Sequence, residues 1–217
     1  MFSGKMKMLN GHQAALRLLT ACFIAVVSLP AAAAQQTLMV YGDSLVAGYG
    51  LNAGEGFPEQ LQQALDQDGY DVKVLNAGVS GDTTAGGLAR LDWTLSDTPD
   101  AMIIVLGGND LLRGLNPPQT RENLRMILER VTAKGIPVLL CGMLAPVNLG
   151  PEYRQQFDSI YPELAREFGA DLYPFFLDGV ALRPELNLPD GMHPNTAGIA
   201  EITRSVLPHA RALLKKG

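Results

Sequence analysis

The stretch of sequence that decides the fold is Thr37-Leu38-Met39-Val40-Tyr41-Gly42-Asp43-Ser44. Its apolar, strand-forming residues are typical of a strand that is buried on both faces of a parallel sheet. The run ends at a glycine, which permits a sharp turn, and an acid and a serine follow. Ligands of open α/β sheets bind beyond the carboxyl ends of the strands, where Ser44 is predicted to stand. Taken alone, the same residues also fit an ordinary turn that caps a helix.

Strands and helices are predicted to alternate along the rest of the chain. Four more strands are expected at Val72–Leu75, Ala101–Leu106, Val138–Cys141 and Asp171–Tyr173. The spacing of apolar residues predicts helices at about 56–65, 85–95, 118–134, 151–168 and 195–214. Pro162 is expected to kink or split the fourth of these helices. This alternation with short connections indicates an α/β fold, a three-layer, doubly wound, flavodoxin-like sheet of about five parallel strands.

The N-terminal segment has the pattern of a secretory signal peptide. Basic residues from Lys5 to Arg17 precede an apolar run, Leu18–Leu29, and a series of alanines ends at Ala34. The apolar run is shorter than the roughly 20 residues of a membrane-spanning helix, so no stable span is expected in the mature protein. The prediction is a signal peptide at 1–34, a single domain at 35–217 and a periplasmic or secreted protein.

The charge and the number of cysteines and histidines limit which partners, disulfides and metals the chain can have. The formal net charge is −5, and the chain has no basic cluster beyond the N-terminal segment, which argues against nucleic acid as a partner. Cys141 is the single cysteine that remains if Cys22 leaves with the signal, so no internal disulfide is expected. Cys141 follows an apolar run and is predicted to be buried. Too few Cys and His residues are present for a metal cluster, and no metal or cofactor is expected.

Polar clusters follow the predicted strands and should meet at one edge of the sheet. Ser44 follows the first strand, Gly78 the second and Asn109 the third, while Asp190 and His193 precede the last helix. The carboxyl ends of parallel strands share one edge, so these residues are expected to converge in a cleft.

A serine nucleophile needs an adjacent base, normally histidine. Of the three histidines, His12 lies in the predicted signal and His209 lies near the C-terminus among basic residues, which leaves His193. Asp190 is close enough in sequence to orient the imidazole, the third role of a serine triad. The alternatives are that His193 is a structural or surface residue and that Asp190 caps a turn.

Attack on an acyl carbon also needs hydrogen-bond donors for the oxyanion. The candidates are the backbone N–H groups of Ser44 and Gly78 and the side-chain amide of Asn109. Glycine lets the backbone approach closely because it has no Cβ atom. The alternative for Asn109 is an ordinary turn residue.

Four sequence blocks resemble the successive motifs of the SGNH (GDSL) hydrolase family and occur in the family's order. The blocks are Gly42–Leu45, the loop at Gly78, Gly107–Asp110 and Asp190–Pro194. Together they extend over nearly the whole predicted mature chain. Within the family, the sequence is most similar to the bacterial periplasmic branch of thioesterases, lysophospholipases and arylesterases, which it also resembles at 146–150 and 173–176.

The resemblance implies a role for each matching residue. Ser44 would be the nucleophile, His193 the base and Asp190 its orienting acid, with Ser44, Gly78 and Asn109 as oxyanion donors. The family's hydrolases cleave esters and thioesters through an acyl-enzyme and use no metal or cofactor. Small esters, thioesters or lysolipids are the implied substrates.

The loop at 146–150 departs from the family pattern at Leu149, where some members of the branch carry an aromatic residue. This loop is expected to line the acyl pocket, so the preferred chain length cannot be transferred. Two other functions stay open, a carbohydrate O-acetylesterase and a non-catalytic exported protein that binds a ligand. Oligomeric state is also open.

Overall fold

The structure is a computed structural model, and it describes residues 1–2, 35–96 and 98–217. The predicted signal peptide therefore lies outside the described residues, except for its first two. The chain divides into two units, Met1–Ala33 and Ala34–Gly217, and the helices and strands described below belong to the second. None of the helices in the described ranges is long and apolar enough to cross a membrane.

Five parallel strands form one sheet in the order β2-β1-β3-β4-β5. The strands are β1 Gln36–Gly42, β2 Val72–Gly78, β3 Ala101–Val105, β4 Val138–Cys141 and β5 Asp171–Tyr173. This order is that of a flavodoxin-like sheet, in which the direction of winding reverses between β1 and β3. The prediction of a doubly wound parallel sheet is confirmed. The second strand is longer than predicted, because residues 76–78 continue to pair with the end of β1.

Eight α-helices connect or follow the strands within the described residues. They are α1 Ser44–Ala47, α2 Phe57–Gln67, α3 Thr84–Thr94, α4 Gly108–Leu112, α5 Pro117–Thr132, α6 Pro151–Asp158, α7 Ile160–Phe168 and α8 Thr196–Leu214. Short 3-10 turns occur at Val147–Leu149 and Pro184–Leu186. The predicted helix at 151–168 is split at Ser159, just before Pro162, whose missing N–H cannot continue the helical hydrogen bonds.

The core consists of the central strands and the inner faces of the helices. Every residue of β3 and β4 is buried, as expected for strands that are covered on both faces. Helices α2 and α8 pack together, and α5 packs against α3 and α7, which gives the two helical layers. Cys141 is fully buried as predicted, and burial raises the pKa of its thiol well above the usual value.

Candidate active site

Ser44 is the first residue of α1, directly beyond the carboxyl end of β1. The turn before it requires a glycine, because a Cβ atom on Gly42 would lie 2.5 Å from the carbonyl oxygen of Val105. Asp43 caps α1, and its Oδ1 accepts a hydrogen bond of 3.0 Å from the N–H of Leu45. Ser44 itself is half-buried, so its hydroxyl stands at the edge of the sheet.

The structure brings His193 and Asp190 to this serine. Nε2 of His193 lies 2.9 Å from Oγ of Ser44, although 149 positions separate the two residues. Nδ1 of the same ring lies 2.7 Å from Oδ2 of Asp190. Ser44, His193 and Asp190 are thus connected by consecutive hydrogen bonds. They lie at the carboxyl end of β1, where the direction of winding reverses between β1 and β3.

The side-chain carboxylate of Asp190 stabilises the turn at 190–193. Oδ1 of Asp190 accepts hydrogen bonds of 2.9 Å and 3.0 Å from the N–H groups of Met192 and His193. These hydrogen bonds lower the pKa of Asp190 to about 2, and the bond from the N–H of His193 has the largest effect. The carboxylate is therefore ionised throughout the neutral range. The N–H of Leu188 also donates to the carbonyl of His193, at 2.7 Å, which closes the loop.

Tyr49 packs on the imidazole, a contact that sequence reasoning missed. The ring centroids of Tyr49 and His193 are 4.5 Å apart. The N–H of Tyr49 donates to the carbonyl of Ser44 at 3.2 Å, and the glycines on either side of it, Gly48 and Gly50, have φ values of 77° and 73°. The chain after the turn that carries Ser44 is thus bent by two left-handed residues so that an aromatic ring covers the histidine.

Asn109 lies in α4, which follows β3. Its Nδ2 donates hydrogen bonds to Oδ2 of Asp43, at 3.2 Å, and to the carbonyl oxygen of Asp82, at 3.0 Å. The next residue, Asp110, is buried and accepts hydrogen bonds from the N–H and hydroxyl of Thr84, at 2.8 Å and 2.5 Å. Asp110 therefore fixes α4 in place, and the amide of Asn109 is held beside the turn that carries Ser44.

Asp43 is a buried acid with only 1% of its surface exposed. Burial raises the pKa of its carboxyl to about 6, although the hydrogen bonds from Leu45 and Asn109 and the nearby His193 act in the opposite direction. The acid beside the serine therefore shapes the turn and orients Asn109, while Asp190 contacts the imidazole.

Gly78 is the last residue of β2, not part of a loop as predicted. Its N–H donates to the side-chain oxygen of Asn76 at 3.0 Å. A Cβ atom on Gly78 would lie 2.3 Å from the backbone nitrogen of Ala47, so a glycine is needed for the close packing of α1 on β2. The structure thus gives this glycine a packing role, and its predicted donor group is bonded within the strand.

A cleft of about 630 Å³ lies beside the segment that follows α4. Its walls include Asn116, Leu149 and Tyr153, and the hydroxyl of Tyr153 donates to the carbonyl of Leu115 at 2.8 Å. Leu149, the position where the loop departs from the family pattern, is 37% exposed. Among the described residues, no group of three or more His, Cys, Asp or Glu side chains is placed to hold a metal ion.

A serine, a histidine and an aspartate aligned in this way on a flavodoxin-like sheet have the arrangement of a serine hydrolase site. The profile of the GDSL-like lipase/acylhydrolase family matches residues 40–200. The chain belongs to this family and is an SGNH/GDSL-type esterase.

Three relatives support this assignment. Esterase TesA of Pseudomonas aeruginosa is 42% identical over 91% of this chain and 98% of its own length. The thioesterase 1/protease 1/lysophospholipase L1 of Escherichia coli K12 is 44% identical over 76% of this chain and 78% of its own. The crystal structure of AlinE4, an SGNH-hydrolase family esterase, has a TM-score of 0.70 and 47% identity, with 83% of this chain and 96% of that chain covered.

Proposed function

We propose that this esterase hydrolyses carboxylic esters and acyl thioesters through an acyl-enzyme on Ser44. The proposal rests on two hydrogen bonds of His193. Its Nε2 lies 2.9 Å from Oγ of Ser44, and its Nδ1 lies 2.7 Å from Oδ2 of Asp190. Both distances are hydrogen-bonding distances, so the base can take the proton of the serine and the acid can hold the ring.

In the proposed reaction, Oγ of Ser44 attacks the acyl carbon while its proton passes to Nε2 of His193. The carbonyl π electrons move to the oxygen, which becomes the oxyanion. When the intermediate collapses, the bond to the alcohol or thiol breaks, and His193 returns the proton to that leaving group. Water then attacks the acyl carbon while its proton passes to His193. The bond between the acyl carbon and Oγ of Ser44 breaks, His193 returns the proton to Oγ, and the carboxylic acid leaves. Ionised Asp190 stabilises the imidazolium that forms in each step.

The proposed oxyanion donors include the N–H of Ser44 and the amide of Asn109, one of whose two hydrogens would turn from Asp43 or Asp82 to the oxyanion when substrate is bound. The N–H of Gly78 was the third expected donor, but Asn76 accepts its hydrogen bond and the residue is packed tightly against the backbone of α1. Gly81 lies in the segment whose Asp82 carbonyl binds Asn109, and within the described residues no acceptor is found for its N–H. We therefore assign the third donor to Gly81.

The substrate class follows from the relatives' names and from the cleft. Proteins similar to this chain are named esterase, arylesterase, thioesterase and lysophospholipase. We propose that the cleft beside Leu149 and Tyr153 holds the acyl group, because its walls include Leu149 and Gly150 of the loop that is expected to line the acyl pocket. We propose small esters, thioesters and lysolipids as substrates, and a periplasmic or secreted protein released from a signal peptide at 1–34.

A Ser44→Ala variant tests the proposal. We expect loss of hydrolysis of an activated aryl ester, with an unchanged circular dichroism spectrum, and no labelling by a fluorophosphonate probe that labels the wild type. The panel of substrates should include an acyl thioester, a lysophospholipid and an acetylated sugar. Full turnover by the variant would refute the role of Ser44. A wild type that stays unlabelled and inactive would favour a ligand-binding protein, and activity restricted to acetylated sugars would favour a carbohydrate O-acetylesterase.

A further inference from the structure

Arg90 extends from α3 to the end of β1 and makes an unusual number of contacts there. Its Nη2 donates to the carbonyl oxygen of Gly42 at 2.9 Å, and its Nε donates to Oδ2 of Asp82 at 2.6 Å. The guanidinium also lies over the ring of Tyr41, with Cζ 4.1 Å from the centroid. The side chains of Arg90 and Asp82 are only 18% and 16% exposed, so solvent screens this ion pair less than a pair on the surface.

Two of the acceptors of this guanidinium, Gly42 and Asp82, belong to different segments of the site. Gly42 is the residue before Asp43 and leads directly into the turn that carries Ser44. Asp82 uses its carboxylate for Arg90 and its backbone carbonyl for Nδ2 of Asn109, at 3.0 Å. A single cation therefore joins the segment that carries the nucleophile to the residue that orients the amide of Asn109.

We propose that Arg90 is a positioning residue for catalysis, which fixes the separation between the nucleophile turn and the amide of Asn109 through its contacts with Gly42 and Asp82. The inference rests on the roles proposed above for Ser44 and Asn109. Oxyanion donors act by being in place before the reaction starts, and small displacements of the reacting groups are costly.

The chemistry of arginine suits this position. The guanidinium is planar and offers donors in a fixed fork, so it can bind a carbonyl and a carboxylate at once while it stacks on an aromatic ring. Lysine carries a compact charge and cannot reproduce that geometry. Burial raises the pKa of Tyr41 to about 12, so the ring beneath the cation stays neutral at physiological pH.

The variants Arg90→Lys and Arg90→Met test the proposal on a water-soluble aryl ester. We expect kcat to fall by roughly 10- to 100-fold in the Met variant and by about 10-fold in the Lys variant, because misplaced reacting groups slow the chemical step. The KM should change by less than about 3-fold, because the residue does not touch the substrate. The matched control is Arg130→Met, which removes an exposed ion pair with Asp92 of α3 and should leave kcat within about 2-fold.

A double-mutant cycle with Asn109→Ala separates positioning from a purely structural role. If Arg90 acts through Asn109, adding Arg90→Lys to Asn109→Ala should lower kcat by less than about 3-fold further. The inference would be overturned if the kcat losses of the two single variants multiplied in the double variant. It would also be overturned if Arg90→Lys changed only the midpoint of urea unfolding and not kcat. If Asn109→Ala alone left kcat unchanged, the proposed oxyanion site would fail instead. The Lys variant keeps the charge, so the cycle can be completed even if the Met variant does not fold.

Discussion

Oδ2 of Asp43 lies 3.2 Å from Nδ2 of Asn109, which follows it by 66 positions in the chain. The contact joins the carboxyl ends of β1 and β3, the two strands between which the sheet changes its direction of winding. A buried carboxylate beside Ser44 is costly, since burial disfavours its charged form. The hydrogen bond from Asn109 partly offsets this cost, because it favours the charged form of Asp43.

The first prediction concerns the stability cost of Asp43. Its pKa is raised from 3.8 to about 6, so the native state keeps this proton to higher pH than the unfolded chain does. The carboxyl therefore lowers the free energy of unfolding progressively as pH rises through that window. We expect the difference in unfolding free energy, Asp43→Asn minus wild type, to increase by up to about 3 kcal/mol between about pH 4 and about pH 7.

Urea unfolding at several pH values measures this difference. Asp66→Asn, at an exposed carboxyl on α2, is the matched control and should give a difference that hardly depends on pH. A difference for Asp43→Asn that is equally independent of pH would contradict the prediction. We also expect kcat to fall in Asp43→Asn, because the neutral amide that replaces the carboxylate is a weaker acceptor and orients Asn109 poorly.

The second prediction concerns Asp190. Its pKa is lowered to about 2, mainly by the N–H of His193, so raising the pH from neutral cannot increase its ionisation. Asp190→Asn should lower kcat by roughly 10²- to 10⁴-fold, because the imidazole loses the acid that holds its ring and stabilises its charge. The loss should be present across the whole neutral range of a pH–rate profile, because wild-type Asp190 is ionised throughout that range. Wild-type activity of the variant at neutral pH would contradict the role of the carboxylate.

The third prediction distinguishes Gly81 from Gly78 as the oxyanion donor. Gly81 has a φ value of 85°, so Gly81→Ala forces an alanine into a left-handed conformation and displaces its N–H, and kcat should fall by roughly 10-fold or more. Gly135 has a φ value of 75° and lies just beyond the end of α5, so Gly135→Ala imposes similar strain with little change in kcat. Asn76→Ala frees the N–H of Gly78.

We expect Asn76→Ala to change kcat by less than about 3-fold, since Gly78 has no place in the proposed oxyanion site. A rise or fall well beyond that range, together with a mild effect of Gly81→Ala, would instead favour Gly78. The comparison uses kcat on one activated ester, with urea midpoints as a check that each variant is folded.

The fourth prediction concerns the ring that covers the base. Aromatic contacts of this kind contribute about 0.5–1.5 kcal/mol, so Tyr49→Leu should lower kcat by roughly 3- to 10-fold while Tyr49→Phe stays near the wild type. The rate with an activated aryl ester measures both variants. Equal losses in the two variants would mean that the hydroxyl of Tyr49, rather than its ring, is what matters.

Much of this architecture could be predicted from local patterns. The five strands are recognisable as short apolar runs, and Ser44, Asn109 and His193 are recognisable as polar residues at the ends of strands or before a helix. Helices α1 and α4 were anticipated only as the alternatives of a helix cap at Asp43 and a turn at Asn109, because four or five residues are too few to show a period. The extension of β2 to Gly78 was missed because asparagine, alanine and glycine, which are uncommon in strands, continue it beside β1.

Contacts that depend on the tertiary fold were beyond local reasoning. Nothing near Arg90 in the sequence indicates that its guanidinium binds the carbonyl of Gly42, since 48 positions separate the two residues. The hydrogen bond from Gly78 to Asn76 and the packing of Tyr49 on His193 depend likewise on how the backbone turns in three dimensions.

The long separation between Ser44 and His193 in the chain has a consequence for when the enzyme becomes active. The serine follows the first strand, whereas its partner lies beyond the fifth strand, in the loop before α8. During synthesis, the nucleophile therefore emerges long before the residue that activates it. In the proposed mechanism, an incomplete chain cannot hydrolyse esters, and the appearance of turnover reports that folding has reached the C-terminal helix.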